Sequence, residues 1–463
     1  MKKFILAGIF CLITATFCSA QYTKLWDFNG ANGSDPGGTF IISGKVLYGT
    51  TCWGGAYNEG NIFKIDTDGT GYKDLFDFND TDGAHPTGSL TQLGGVLFGT
   101  TDYGGTNNLG VLFKIDTDGT GYKVLLDFNG ANGSMTMSLS NLIISGSIIF
   151  GTPYAGGAHN AGLIFKIDTD GTGYKDIFDF GTNTGRGPRD LTLSGGILYG
   201  MTIAGGANND GIVYKVDTDG TGYKDLLDFN GTNGNQPYAG LTLSGGVLYG
   251  TTLWGGNHAD GILFKVDTDG TEFKDLYDFY GTNGGGPSGN VTLAGGILYG
   301  MVLESDQNQG TIFKIDTNGN NYVNLFVFGG INGYSPGKSL MLAGGSLFGL
   351  TNAGGLHGDG VAFKYTIGNN STDVNHLNAN NSQWSVFPNP NNGVFQLWDN
   401  SNQTGTGSIE VYNVLGELVY STFTTHNSPF TFDLGTQPNG VYFYRIFSEN
   451  GIEIGDGKVV IAH

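Results

Sequence analysis

"FKIDTDGTGYKDLFDF" occupies residues 63–78, and it returns as "FKIDTDGTGYKVLLDF" from Phe113, "FKIDTDGTGYKDIFDF" from Phe165 and "YKVDTDGTGYKDLLDF" from Tyr214. The phrase is one part of a longer unit. Asp-Phe recurs at 27, 77, 127, 179, 228 and 278, with Val327-Phe328 in the seventh place. A glycine of the Gly-Thr type stands at 49, 99, 151, 200, 250, 300 and 349, and the aromatic-Lys pair starts at 63, 113, 165, 214, 264, 313 and 363. The spacing of about 50 residues belongs to propellers and solenoids. In the fifth unit the strand candidates are "GLTLSGG", "VLYGTT", "GILFKVD" and "FKDLYDF". They are short, β-branched or aromatic, and bounded by Gly, Asn and Asp. "SGG" and the Asp-Gly of "DTDGTG" are tight hairpin turns. Each unit is therefore expected to be a four-stranded antiparallel meander.

The ends of the array decide between a line and a ring. "YTKLWDF" (22–28) is only a fourth strand, and the last unit stops at Thr366, where its fourth strand should begin. Pairing of 22–28 beside 361–366 would remove the open edges that a linear array leaves. The expected fold is all-β: a seven-bladed β-propeller over 21–368, the N-terminal strand closing the last blade, followed by a small Ig-like β-sandwich.

Composition agrees with such a fold. Of 463 residues, 83 are Gly without a three-residue period, 13% are aromatic and only 13% charged. That excludes collagen and disorder. The formal net charge of −20 argues against nucleic acid or anionic lipid as partner. Lys2 and Lys3, an apolar run over 4–17 and Ala20 at the cleavage position read as a secretory signal over 1–20. Of the three Cys, only Cys52 would remain after cleavage. It is expected to be a small apolar filler, in a monomer without a disulfide.

The unit wording "DFNGTNGxxPxG…LTLSGGVLYGTTxxGGxxNxGxIFKIDTDGTGYK" resembles the Gloeo/Verruco tandem repeat of secreted bacterial proteins. The resemblance covers all seven units and implies no established activity. The composition changes at 369, where an Asn-rich linker (369–383) leads into alternating strands over 384–463. Phe387-Pro388-Asn389-Pro390, "IEVYNVLGELV", Pro438-Asn439-Gly440-Val441-Tyr442 and Lys458-Val459-Val460 resemble the type A C-terminal sorting domain of the type IX secretion system. That resemblance implies partners in the secretion machinery and a sortase-like peptidase. It also implies release from, or attachment to, the outer surface of a Bacteroidetes-type cell. An ordinary Ig-like module is the alternative.

No cofactor motif stands out. "Asp-Thr-Asp-Gly" at 66, 116, 168, 217 and 267 lacks the distal Glu of a calcium loop, so a hairpin turn is expected. The Asp of Asp-Phe, repeated around a ring, is expected to cap the loop that follows it. His159, His258 and His357 share one repeat position, and a ring would hold them too far apart for zinc. The long loops fall together on the face opposite the tight turns. Their variable slots hold Trp53, Tyr57, Tyr103, Tyr154, Tyr238, Trp254, Tyr280 and Tyr334. Flat rings beside amides and carboxylates suit sugar rings or peptides, although such rings could instead pack between blades. The sequence thus points to a non-enzymatic secreted or surface binding module, with glycan as the expected ligand class. The alternatives are a polysaccharide-acting enzyme at the channel mouth, using Glu304 and Asp306 of the irregular sixth unit, and a purely structural surface protein.

Overall fold

The computed structural model describes residues 21–135, 141–303, 309–367, 384–387, 391, 393–399, 406–413, 418–425, 430–435, 437–448 and 453–462. The proposed signal (1–20), the linker (369–383), Pro388, Asn389, Pro390, Glu304 and Asp306 lie outside them.

The fold is all-β. Seven sheets of the repeated kind are found among the described residues. In sheet 1, Ile41–Ser43, Val46–Trp53, Asn61–Asp66 and Lys73–Asp77 pair in order, all antiparallel. Sheets 2 to 6 repeat this order over 91–127, 143–179, 192–228, 242–278 and 292–327. Sheet 7 takes Met341–Ala343, Ser346–Thr351 and Val361–Thr366 from one end of the array and Tyr22–Asp27 from the other.

The recurring glycine and the recurring aromatic explain each other. Gly49 and Phe63 are register partners on neighbouring strands. A Cβ on Gly49 would come within 2.7 Å of the Phe63 ring, and the same holds at 2.6 Å for Gly99 with Phe113 and Gly250 with Phe264. The ring lies over the glycine, so a strand glycine that would ordinarily weaken a sheet here makes room for a fully buried Phe. Both sheet faces are apolar because each sheet packs against two neighbours. Tyr48, Ile62, Leu75 and Phe78 of sheet 1 share a core with Leu90, Leu97, Val111, Phe113 and Ile115 of sheet 2. Sheet 7 packs on sheet 1 in the same way, through Leu25, Phe28, Phe348 and Leu350 against Phe40, Leu47, Phe63 and Ile65.

The outer strands are locked by aromatic stacks. Tyr122 lies flat on Phe76 with ring centroids 4.0 Å apart, and Tyr322 on Tyr277 at 3.9 Å. The N-terminal strand joins this series on both sides: Tyr22 stacks on Phe326 and Trp26 on Tyr72, each at 4.1 Å. The tyrosine hydroxyls donate onward to loop carbonyls, Tyr72 to Asn32 and Tyr322 to Asn283, each at 2.6 Å. The "DTDG" segments are turns held by their own side chains. Asp68 Oδ1 accepts from the Thr70 hydroxyl (2.6 Å) and amide (2.9 Å), which holds its carboxyl below the usual range.

A second set of bonds runs where the innermost strands begin. Thr39 N donates to Ser89 Oγ (2.7 Å), Ser89 N to Asn141 Oδ1 (2.9 Å) and Asn141 N to Asp190 Oδ1 (2.7 Å). Gly240 N donates to Asn290 Oδ1 (2.6 Å), Asn290 N to Ser339 Oγ (2.8 Å) and Ser339 N to Thr39 Oγ1 (3.2 Å). Every sheet but the fourth thus donates to the next, and sheet 7 donates to sheet 1. The step from Asp190 to Gly240 cannot form because glycine has no side chain. Asn290 Nδ2 instead reaches Asp190 Oδ2 at 3.3 Å.

In the C-terminal part, Trp384–Phe387, Val394–Asp399 and Phe430–Asp433 form one antiparallel sheet, and Thr406–Tyr412, Leu418–Thr425, Gly440–Ser448 and Glu453–Ile461 a second. Phe395, Leu397 and Phe432 of the first share a core with Ile409, Val411, Tyr444, Ile446 and Val459 of the second. Pro438 and Asn439 are exposed just before the strand that Gly440 opens, and the Pro438 carbonyl accepts the Tyr442 hydroxyl at 2.8 Å. Lys458 is exposed on the last strand, opposite Phe443.

Two predictions follow from this packing. A Cβ at Gly240 would lie 2.5 Å from Asp190 Cβ, so Gly240→Ala should cost about 1–3 kcal/mol in urea unfolding. Gly95→Ala, which meets nothing within 4 Å, should be neutral or slightly stabilising. The second concerns acid. Burial, reinforced by the Asp228 charge, raises Asp225 from 3.8 to about 6, and burial also raises Asp74, Asp176 and Asp275. Between those two values the native state holds more protons than the unfolded chain, so this contribution to stability falls as pH rises. The melting temperature should therefore drop as pH rises from about 4 to about 6.5 and level off above that, and Asp225→Asn should shrink that drop.

Candidate binding face

The long loops at the face opposite the tight turns are shaped by the Asp of Asp-Phe. Asp77 Oδ1 accepts the Ala56 amide at 2.9 Å, Asp179 Oδ1 that of Ala158 at 2.8 Å, and Asp27 Oδ1 that of Leu356 at 3.0 Å. The loop each one caps is therefore the one before it, not the one after it as the sequence suggested. The reason is the meander: the fourth strand returns beside the third, whose entry is that earlier loop. The Asp charges are thus used in shaping loops on six of the seven sheets.

On this scaffold the eight predicted rings divide into two groups. Trp53, Tyr57, Tyr103, Trp254, Tyr280 and Tyr334 are 37% to 61% exposed, which is not how rings packed between sheets behave. Tyr154 and Tyr238 are turned to another purpose. The Arg189 guanidinium, itself buried, lies 4.0 Å from the Tyr238 ring centre and 5.3 Å from that of Tyr154. Cation–π contact in a desolvated site strengthens such an arrangement.

The densest exposed cluster spans sheets 1 and 2. Trp53 ends a strand, and its ring centre lies 3.9 Å from that of His85. Tyr103 meets the same imidazole edge-on at 5.6 Å. His85 Nε2 is 3.0 Å from Glu59 Oε2, and its Nδ1 is 2.8 Å from the Cys52 carbonyl. The imidazole is thereby fixed between two flat rings. His85 sits at φ 55°, a left-handed conformation shared at the same pre-proline place by Asp35, Gln236 and Ser335. Such strain persists only where surrounding structure imposes it. His85 was not legible in the repeat pattern, because no other unit has His in that slot. Beneath it Cys52 is buried, and burial pushes its thiol well above the usual range. A second cluster lies at sheet 5, where His258 Nδ1 is 3.3 Å from Asp278 Oδ1 and its ring 5.0 Å from that of Tyr280.

The three repeated histidines have unlike surroundings. His258 touches Asp278 and Tyr280, His357 is exposed, and His159 lines a cleft of about 930 Å³ between sheets 3 and 4. Near the innermost strands, Asp190, Asn141, Asn290, Ser89, Ser339 and Lys338 surround a cavity of only about 30 Å³, room for roughly one water. The buried Asp190 carboxyl there is raised by desolvation.

The model for the Gloeobacter/Verrucomicrobia repeat matches residues 9–152, 137–305 and 194–408, and the model for the secretion system C-terminal sorting domain matches 385–462. No curated protein matches the chain. Among solved structures, the chain is similar to PorZ, a surface component of the type IX secretion system of Porphyromonas gingivalis, at 13% identity and a TM-score of 0.45. That match covers 95% of this chain and spans 60% of the length of PorZ. It is similar also to an oligogalacturonate lyase in complex with manganese, at 10% identity and a TM-score of 0.50, covering 75% of this chain and 93% of the other. At that identity the likeness concerns the fold alone, and it agrees with a propeller-like arrangement of the sheets. The repeats and the terminal domain together decide the assignment: the chain belongs to the Gloeobacter/Verrucomicrobia repeat family and carries a type IX sorting domain, by which it engages that secretion system and is exported to the cell surface or released.

Proposed function

We propose that the protein is a non-enzymatic binding module of the cell exterior, monomeric, whose long-loop face takes glycan. The observation that carries this reading is the set of six exposed rings on that face, with Trp53 and Tyr103 set around a fixed His85. Exposed flat apolar surface beside Asn, Asp and His matches the two faces of a sugar ring. The small volume near the innermost strands favours the outer loops over the axis as the place of contact. In this reading the seven sheets are the blades of one closed seven-bladed propeller. The shared cores, the axial hydrogen bonds and the strand Tyr22–Asp27 in sheet 7 support that closure. The C-terminal sheets form an Ig-like sandwich that a sortase-like peptidase removes after export.

Two experiments test this. On a glycan array the full chain should bind, and Trp53→Ala and Trp254→Ala should each weaken binding roughly tenfold with an unchanged melting curve, since an exposed ring contributes about 1–3 kcal/mol at a contact and little to the fold. Absence of binding, with release of reducing ends from polysaccharides, would favour an enzyme instead. For closure, removal of residues 22–28 should lower the melting temperature markedly and promote association through the exposed edge. An unaltered melting curve would rule closure out.

A further inference from the structure

The cleft between sheets 3 and 4 differs from its relatives in size and in charge. Its volume of about 930 Å³ is twice that of the related groove beside sheet 2, about 460 Å³. The fourth unit's loop, "GTNTGRGPRD" (181–190), also departs from the others at its opening. In three other units an Asn opens this loop and exchanges two hydrogen bonds with a second Asn, as Asn29 does with Asn32, Asn129 with Asn132 and Asn230 with Asn233. Here Gly181 stands at the opening, and its amide bonds the Thr184 hydroxyl at 2.9 Å instead. A Cβ at Gly181 would lie 3.4 Å from His159 Cδ2, so a side chain there would project toward the cleft wall. The cleft lies well within the range of small-ligand sites, about 300–1,000 Å³.

The walls are polar. His159, Asn160, Thr182, Asn183, Arg186 and Asn209 line the cleft. Arg186 is the notable member, because the 463-residue chain has only three Arg and a net charge of −20. It is exposed, and it is held on a short strand, Arg186–Pro188, opposite Ala204. Its Nη2 donates to the neutral Asn209 Oδ1 at 3.1 Å. The ion pairs found among the described residues all lie elsewhere, at Lys24, His85 and His258. Asp179, the carboxylate of the cleft wall, accepts the Ala158 amide. A guanidinium has five N–H donors in a planar fork, which matches a carboxylate or a sulfate ester. An exposed cation with no carboxylate at ion-pair distance among the described residues, in so acidic a chain, is suited to an anion from outside.

We propose that this cleft binds one anionic sugar unit of a polysaccharide, its single negative charge held by Arg186 and its hydroxyls by the Asn and Thr side chains. The shared chemistry is a uronate carboxylate or a sulfate ester. The proposal rests on the glycan-binding reading above and gives it a ligand class. Arg186 supplies the charge and the fork, and Asn209 orients the fork.

The test uses the full chain in calorimetric titration with four probes: an alginate oligosaccharide, its carboxyl-reduced neutral form, a sulfated galactan oligosaccharide and a neutral glucan oligosaccharide. An anionic probe should bind. Arg186→Ala should weaken it roughly tenfold or more, and Arg186→Lys by less, because lysine keeps the charge but not the fork. The melting temperature of both variants should stay unchanged. Tighter binding of alginate assigns the carboxylate, and tighter binding of the galactan assigns the sulfate. Neutral probes that bind as well as charged ones, or an Arg186→Ala affinity equal to that of the unaltered chain, overturn the inference and leave glycan binding standing. No binding to any probe overturns both.

Discussion

One strand pairing holds the repeat array together: Tyr22–Asp27 beside Val361–Thr366. Without it sheet 7 has three strands and an open edge, and the outermost aromatic stacks at sheets 6 and 1 lose a partner. With it, Tyr22 covers Phe326, Trp26 covers Tyr72, and Asp27 shapes the last long loop as its counterparts shape the others. The hydrogen bond from Ser339 to Thr39 belongs to the same closure on the inner side. Sheets that are each made of local contacts thus depend on one contact that is not local.

The repetition separates two kinds of residue. Those that recur fill structural roles: Gly under Phe on adjacent strands, Asp at the loop amide, Tyr stacked outward, Asp-Thr in the turn. Several that do not recur stand on the long-loop face, where scaffold requirements are already met by the neighbours. His85 between Trp53 and Tyr103, and Arg186 in its widened cleft, are of this second kind. A family defined by the first kind says little about ligands, because ligands meet the second.

Much of the fold was legible because a period of about 50 residues turns one reading of a strand into seven. The four strands per unit, the turn nature of "DTDG" and the pairing of the two chain ends all followed from local pattern. What failed to follow depended on contacts between units. The Asp of Asp-Phe was assigned to the wrong loop, since sequence order hides that the fourth strand ends beside the third strand's start. Tyr154 and Tyr238 belong to different units, and only packing shows that Arg189 joins them. The cleft at Arg186 had a faint signal, two of three arginines within one unit. Gly181 stands where three other units have Asn, and an absence has no motif.

The span of the closing contact bears on how the chain is made. Gln21 and Tyr365, joined by a hydrogen bond, lie 344 residues apart. During synthesis the first strand is present from the outset, yet its place in sheet 7 exists only when the last repeat has emerged. Until then the growing array has two unsatisfied ends, each able to accept a strand of matching pattern. Neighbouring units carry nearly the same words, so a prematurely ended chain is expected to find its missing strand on another copy and to grow by exchange. For a protein destined to leave the cell, formation of that last strand pairing marks the moment at which the chain becomes safe to carry at high local concentration.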